Sequence, residues 1–271
     1  MISVLISVYK NDNINDFTIA LESVYLDQLL KPSEIVIIFD GPVKYEIENF
    51  ITTKIIECWP IKLVKLPRNV GLGKALNLGL LNCTFDLVAR MDSDDISNKE
   101  RFLTQFNFLN NNPNIDIAGG YIQEFNESGE ILYIREVPLN DNEIKKTLSY
   151  KNSMNHVTVM FRKSRLTLIG NYEDAHLSFE DYGTWLKGKK ILKYANIPEI
   201  LVKVKVNSDF ANRRSGWKYF IREFKFFKKY YENGSISLFW LLINTSSRFV
   251  LRNMPSNLLL RFYKFIRIKS L

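Results

Sequence analysis

The chain has 271 residues, 46% hydrophobic and 13% aromatic, which suffices for a folded body with a sizeable core and excludes a disordered chain. Its 37 Lys+Arg against 29 Asp+Glu leave a net charge of +8, favouring an anionic partner without choosing among nucleotide phosphate, anionic lipid and nucleic acid. Two cysteines, Cys58 and Cys83, exclude a disulfide framework or a cysteine zinc site; both are read as core residues of a protein from a reducing compartment.

Met1 leads directly into the apolar run 2–8, with no basic leader or small-residue cleavage site, so the start reads as a buried strand and not as an export signal. Short apolar runs at 34–39, 61–66 and 86–91 alternate with helical patterns at 16–29, 45–57 and 74–81. That alternation is the signature of an α/β fold, a mainly parallel Rossmann-like sheet flanked by helices. Ligands of such sheets lie beyond the carboxyl ends of the strands, so Tyr9, Asp40, Arg68 and Asp92 are expected along one edge. A helix is then expected at 99–111, followed by strands at 115–119, 121–125 and 131–137, with Ser128-Gly129 as the last turn. A strand at 157–161, a helix opening near Glu180 and a strand at 200–206 close the body.

After Asn212 the composition changes to helices rich in aromatic and basic residues at 217–231, 236–251 and 256–269. The chain therefore divides into a body, 1–212, and a helical appendage, 213–271. The stretch 236–250 is broken by Asn244, Ser246, Ser247 and Arg248. A bilayer span needs roughly 20 largely apolar residues, so no membrane-crossing helix is expected. The last helix separates Leu258, Leu259, Phe262, Phe265 and Ile266 from Arg261, Lys264, Arg267 and Lys269, a pattern suited to an anionic membrane surface.

Two acidic groups could carry chemistry. Asp92-Ser93-Asp94-Asp95 closes the run 86–91, and clustered carboxylates repel one another unless a cation such as magnesium or manganese sits among them. The same residues also suit the cap of the following helix. Glu180-Asp181 opens a helix, where acids also complement the helix dipole. His156 reads either as a hydrogen-bonded structural residue or as a ligand, and His176 as part of a loop.

Four stretches give these groups a context: the run 4–8 with Tyr9-Lys10-Asn11; Asp40-Gly41; Arg68-Asn69-Val70-Gly71-Leu72-Gly73-Lys74-Ala75-Leu76-Asn77; and the acidic cluster followed by Glu100-Arg101. With them the chain resembles the family 2 glycosyltransferases, inverting enzymes of GT-A fold, over roughly residues 1–215. The stretch 155–163, Gly170-Asn171-Tyr172 and Phe179-Glu180-Asp181-Tyr182 resemble the bacterial surface-polysaccharide branch of that family.

The resemblance implies a nucleotide-binding half to about residue 98 and an acceptor and catalytic half over 99–212. It assigns Ser7, Tyr9, Asp40, Arg68, Asn69, Lys74, Asp92 and Ser93 to the nucleotide, and Asp94 with Asp92 to a divalent metal, Mn2+ or Mg2+. Asp181 becomes the general base, with Glu180, His156 and Arg213 at the sugar, acceptor or diphosphate. The implied donor is a UDP-hexose of glucose or galactose type, and the implied acceptor a lipid-diphosphate-linked oligosaccharide of O-antigen or capsule synthesis. Such chemistry belongs at the cytoplasmic face of the inner membrane, with peripheral contact through the C-terminal helices and no nucleic acid. Asn207-Ser208 stands where many members carry a His, so the metal is expected to lean on Asp94, the nucleotide phosphates and water.

Two rival enzymes, a dinucleotide-dependent oxidoreductase and a sugar nucleotidyltransferase, would place a glycine-rich loop straight after the first strand. Tyr9-Lys10-Asn11-Asp12 contains no glycine, which argues against both. A non-catalytic, basic membrane-surface protein is the alternative suggested by residues 213–271.

Overall fold

The computed structural model describes residues 1–173, 179–206 and 216–254. Four parallel strands, β1 (Ile2–Val8), β2 (Glu34–Phe39), β3 (Ile61–Lys65) and β4 (Leu87–Met91), lie in the order β3-β2-β1-β4. Their side chains alternate between two cores. Val4, Ile6 and Val8 pack with apolar residues of α1 (Ile14–Tyr25), α2 (Tyr45–Ile56) and α4 (Arg101–Asn111), while Leu5, Val36, Ile38 and Val88 pack with those of α3 (Leu72–Asn82). Coverage on both faces is why these strands read as unbroken apolar runs.

Beyond β4 the sheet changes direction. β8 (Met160–Arg162) runs antiparallel to β4, β6 (Ile117–Phe125) antiparallel to β8, and β9 (Tyr194–Lys205) parallel to β6. β5 (Ile96–Ser97) pairs with β9 at the edge, and β7 (Ile131–Arg135) returns on β6 after a turn with Gly129 at φ +82°. The helices α5 (Asp141–Leu148), α6 (Lys163–Leu168), α7 (Glu180–Gly188), α8 (Trp217–Glu232) and α9 (Leu238–Asn253) complete the α/β body.

Several boundaries differ from the sequence reading for identifiable reasons. α1 stops at Tyr25, short of Leu29, because the Gln28 amide donates to the Ser23 and Asn98 carbonyls at 2.7 and 2.8 Å, and the Leu29 N–H donates to the Lys99 carbonyl at 2.9 Å. The strands expected at 115–119 and 121–125 are one strand, since Asn196 and Leu201 of β9 fill the space where Cβ atoms of Gly119 and Gly120 would sit. β9 begins six residues before the expected Ile200 because a bulge, with Ile197 opposite Gly120 and Ile200 opposite Tyr121, absorbs Pro198 and Glu199. The run 157–161 opens as a 3-10 turn, His156–Thr158, and becomes strand only at Met160. α5, α6 and β5 were absent from the sequence reading.

Four aromatic residues of α8, Phe220, Phe226, Phe227 and Tyr230, are core, while Trp217 and Tyr231 are exposed. Phe226, Phe227 and Tyr230 are buried against α7, where Tyr182 meets Phe226 at 5.1 Å and Tyr230 Oη donates to the Gly183 carbonyl at 2.9 Å. Cys83 is buried, its thiol pushed up to about 12 by desolvation and by nearby Glu34, but Cys58 is exposed, correcting its reading as core. The division at 212 and the helix expected at 256–269 lie outside the described residues.

Candidate active site

The parallel register places Val8 beside Phe39 and Ile6 beside Met91, so Tyr9, Asp40 and Asp92 emerge at one edge of the sheet. Asp40 is buried. Its Oδ1 accepts the Val70 N–H at 2.7 Å, and its Oδ2 accepts the Gly71 N–H at 3.1 Å and the Asn69 amide at 2.9 Å. Gly41 sits at φ +87°, and a Cβ there would lie 2.6 Å from the Asn69 nitrogen, so a side chain would break the clasp. Asp40 thus fixes the loop that leads into α3, leaving acceptor capacity on Oδ1. Arg68 is exposed on that loop, Lys74 is half-buried in the first turn of α3, Ser7 is half-buried near the end of β1, and Tyr9 is exposed.

The acidic cluster is built over two buried arginines. Arg90 forms a bidentate pair with Asp92, and this pairing outweighs the burial that would otherwise lower the guanidinium's pKa. Arg101 donates to the Arg90 carbonyl at 2.7 Å and to Gln105 Oε1 at 3.1 Å; burial and the charge of Arg90 bring its pKa down to about 9. Asp95 is buried and accepts the Lys205 N–H at 3.0 Å; desolvation and the charges of Asp92 and Asp94 push its carboxyl well up.

Asp94 faces solvent, and its carboxyl is pushed up to about 6 by partial desolvation and by repulsion from Asp92 and Asp12. Asp12 is a site residue that the sequence reading missed. Its Oδ2 accepts Ser93 Oγ at 2.8 Å and the Tyr9 N–H at 3.1 Å, joining the turn after β1 to the acidic cluster. The available signal was an acid three residues after Tyr9, a spacing that suits a side chain closing its own turn. Among the described residues no three His, Cys, Asp or Glu side chains are grouped to hold a metal ion. Asp94 nevertheless has the character of an oxygen ligand short of positive charge, and magnesium-type sites use one or two carboxylates completed by phosphate and water.

Across the site, Asp181 lies in the first turn of α7, where its Oδ2 accepts Asn152 Nδ2 at 2.7 Å. Burial raises its pKa above the ordinary carboxylate value, opposed by the Tyr182 N–H, Arg90, Asn152 and Arg135. Glu180 beside it is raised by burial and by Asp181. Gly73 permits the approach of this region to α3, because a Cβ there would lie 2.6 Å from the Glu173 carbonyl oxygen and 3.1 Å from Glu180 Cβ. The contact is locked by Asn77, whose amide donates to the Tyr172 carbonyl at 3.0 Å and accepts the Tyr172 N–H at 2.8 Å.

His156 Nε2 lies 3.2 Å from Tyr172 Oη, and the ring stands edge-on to Tyr172 and Trp185. Burial and Arg90 hold its pKa well below 6.5, which favours the neutral ring. One buried cation, Arg90, acts electrostatically on Asp94, Asp95, Glu180 and Asp181 together, so the two acidic groups share one field. Arg213, Arg214, His176 and Asn207-Ser208 lie outside the described residues.

With strand-end acids, a clasped loop and a second carboxylate in one place, comparison with known proteins identifies the family. The model of Glycosyl transferase family 2 matches residues 3–168. The chain belongs to that family. The transferase is 38% identical over 229 residues to the amylovoran biosynthesis glycosyltransferase AmsE of Erwinia amylovora, covering 84% of this chain and 85% of the relative. It is 34% identical over 268 residues to an Escherichia coli UDP-Gal:alpha-D-GlcNAc-diphosphoundecaprenol beta-1,3-galactosyltransferase, covering 97% and 94%. Two solved structures share the fold at low identity. Staphylococcus aureus TarS with UDP-GlcNAc superposes at TM-score 0.60 and 20% identity over 83% of this chain and 65% of TarS. A mannosyltransferase from Pyrobaculum calidifontis with GDP-Man and Mn2+ superposes at TM-score 0.61 and 12% identity over 98% of this chain and 80% of the neighbour. The fold is therefore GT-A, as the sequence implied.

Proposed function

We propose that this glycosyltransferase moves a hexose, of glucose or galactose type, from a UDP-sugar to a hydroxyl of a lipid-diphosphate-linked oligosaccharide, with inversion, in O-antigen or capsule synthesis. The observation that supports the mechanism is that Asp94 at the strand edge and Asp181, held by Asn152 at 2.7 Å, both lie in the field of the buried Arg90. The Escherichia coli relative, named for UDP-Gal and a GlcNAc-diphosphoundecaprenol, supports the donor and acceptor classes.

In this reading Tyr9 and the free side of Asp40 meet the base, Ser7, Arg68, Asn69 and Ser93 line the nucleotide, and Lys74 faces its phosphates. Asp94, with Asp92, would hold Mn2+ or Mg2+, which when bound neutralises charge on the departing diphosphate. Asp181 takes the proton from the acceptor hydroxyl as that oxygen attacks the anomeric carbon from the face opposite UDP, and a raised pKa keeps it an effective base near neutrality. Glu180 lies beside the incoming sugar, His156 beneath it as a neutral floor, and Arg213 is assigned to the diphosphate.

The same reading puts the enzyme on the cytoplasmic face of the inner membrane. Among the described residues no helix is long and apolar enough to cross a membrane. α9 instead exposes Phe239, Leu242, Ile243, Phe249 and Val250 on one face, and α8 exposes Lys218, Arg222 and Lys225 on one stripe. An apolar face beside a basic stripe suits an anionic lipid surface, where the acceptor resides.

Calorimetric titration with UDP, GDP, dTDP and CDP, each with and without Mn2+, tests the donor class. Metal-dependent binding of UDP, followed by an inverted anomeric configuration in the product by NMR, is expected. Preference for another nucleotide, or retention of configuration, would remove the UDP or the inverting part respectively.

A further inference from the structure

The Asp181 carboxylate is held from outside its own helix. Asn152 donates its Nδ2–H to Asp181 Oδ2 at 2.7 Å. The amide is fixed in that sense because its Oδ1 accepts the Met154 N–H at 3.2 Å, and its backbone carbonyl accepts Arg135 Nη2 at 3.2 Å. The turn just before it, Ser149 and Tyr150, is gripped by α9. Trp240, Asn244 and Arg248, spaced four residues apart, share the inner face of that helix. Trp240 stacks on Tyr150 with centroids 5.0 Å apart and planes at 23°. Asn244, fully buried, donates to the Ser149 carbonyl at 2.8 Å, and Arg248 donates to the Tyr150 carbonyl at 2.9 Å.

Arg248 is itself fixed by Asn244 Oδ1 at 2.6 Å and Glu223 Oε1 at 3.2 Å. From the other side Tyr182 Oη, on the residue after Asp181, donates to the Leu148 carbonyl at 2.8 Å. A buried amide is costly unless its donors and acceptor are matched, and a leucine at 244 would fill the space without that requirement. The polar inner face of α9 therefore specifies where the 149–152 turn lies.

We propose that Asn152 is a positioning residue for Asp181 and that the Trp240, Asn244 and Arg248 face of α9 holds it in place. The inference rests on Asp181 being the base. The charged and titratable groups facing that carboxylate are Arg90 from β4, Arg135 from β7, Glu180 and Tyr182 on α7, and Tyr172 before it. The Asn152 donor acts with the two arginines and the Tyr182 N–H to favour the ionised form against burial, so its loss raises the pKa and frees the carboxylate to rotate.

The test is turnover of UDP-galactose onto a synthetic GlcNAc-diphosphate lipid by Asn152→Ala, Asn152→Asp and Arg248→Met, across the acidic limb of the pH profile, beside Asp181→Asn. Asn152→Ala should lower kcat about 10- to 100-fold with donor KM nearly unchanged, and move the acidic limb to higher pH. Asn152→Asp, isosteric and so able to fold, should do both more strongly because a like charge replaces the donor. Arg248→Met should show the same pattern more weakly, about 3- to 10-fold. Wild-type kcat and an unshifted limb in both Asn152 variants, with Asp181→Asn inactive, would overturn the proposal and leave the base assignment standing. A lower Tm with unchanged kcat in Arg248→Met would overturn the role of α9. Turnover retained by Asp181→Asn would remove the base itself, and the proposal with it.

Discussion

On the side of β1–β4, Asp12, Asp40, Asp92 and Asp94 stand within a few residues of a strand end, and the first three are bonded to groups of that sheet edge and its loops, whereas Asp181 opens a helix and leans on a turn that the C-terminal α9 holds. Asp40 bonds to the loop 69–71, Asp12 to Ser93 and the Tyr9 backbone, and Asp92 to Arg90 two residues away. Asp181 instead leans on Asn152, and through the 149–152 turn on Asn244 and Arg248. Under the proposed function, the first arrangement would carry the nucleotide pocket on strand ends and their loops. The second would place the proposed base through elements outside that half, the 149–152 turn and α9.

The largest expected effects divide along this line. Asp94→Ala should abolish metal-dependent UDP binding by calorimetry, and Asp181→Asn should leave it intact, while both lower kcat by about a thousandfold or more, as removal of a principal catalytic group does. If Asp181→Asn also lost UDP binding while remaining folded, the two sides would not be separable, and Asp181 would belong to the donor pocket.

The same division explains what the sequence could reveal. Strands 2–8 and 34–39 were readable to the residue because both of their faces are buried, and the glycines at 41 and 73 mark backbone approaches that no side chain permits. Asn152 gave no signal, since a single asparagine in a polar turn looks the same whether it meets solvent or Asp181. α5 was missed because only Ile144 and Leu148 of its eight residues are buried, too short a pattern to establish a helical period. Pro198 concealed the first half of β9, and only the bulge seen in three dimensions reconciles it with a strand. Of the three C-terminal helices expected, those at 217–231 and 236–251 are present as α8 and α9. Phe220, Phe226, Phe227 and Tyr230 of α8 face inward, whereas Phe239, Leu242, Ile243, Phe249 and Val250 of α9 face outward.

His156 sharpens the comparison because it packs on Tyr172 and Trp185 and feels Arg90, the cation that also acts on both acidic groups. It is held neutral in the folded state, with a pKa well below the 6.5 expected when unfolded. The unfolded chain therefore takes up a proton as pH falls through that value while the folded one does not, so this stability contribution is present above pH 6.5 and lost below it. Asp94, Asp95, Glu180 and Asp181 act with the opposite sign, since their raised pKa values favour the folded state at lower pH. A His156→Gln variant isolates the histidine. Urea midpoints should show the stability gap between wild type and variant shrinking as pH is lowered, by up to about 1.4 kcal/mol per pH unit. A gap that does not change with pH would mean that His156 titrates alike in both states, and its surroundings would have to be more polar than this arrangement allows.

The smallest effect concerns the outer face of α9, which should act on location and not on chemistry. Phe239 and Leu242 are 63% and 58% exposed, on the side of the helix opposite Asn244 and Arg248. Replacing both with serine removes apolar surface that would otherwise enter the lipid boundary but disturbs none of the bonds to the 149–152 turn. Binding to vesicles containing anionic lipid should weaken about tenfold, while kcat toward a water-soluble acceptor analogue stays at the wild-type value. Equal loss on the soluble acceptor would mean that the outer face supports the fold of α9, tying the whole helix to Asp181. Unchanged vesicle binding would leave the basic stripe of α8 to account for attachment alone, and that attachment would then disappear at high salt.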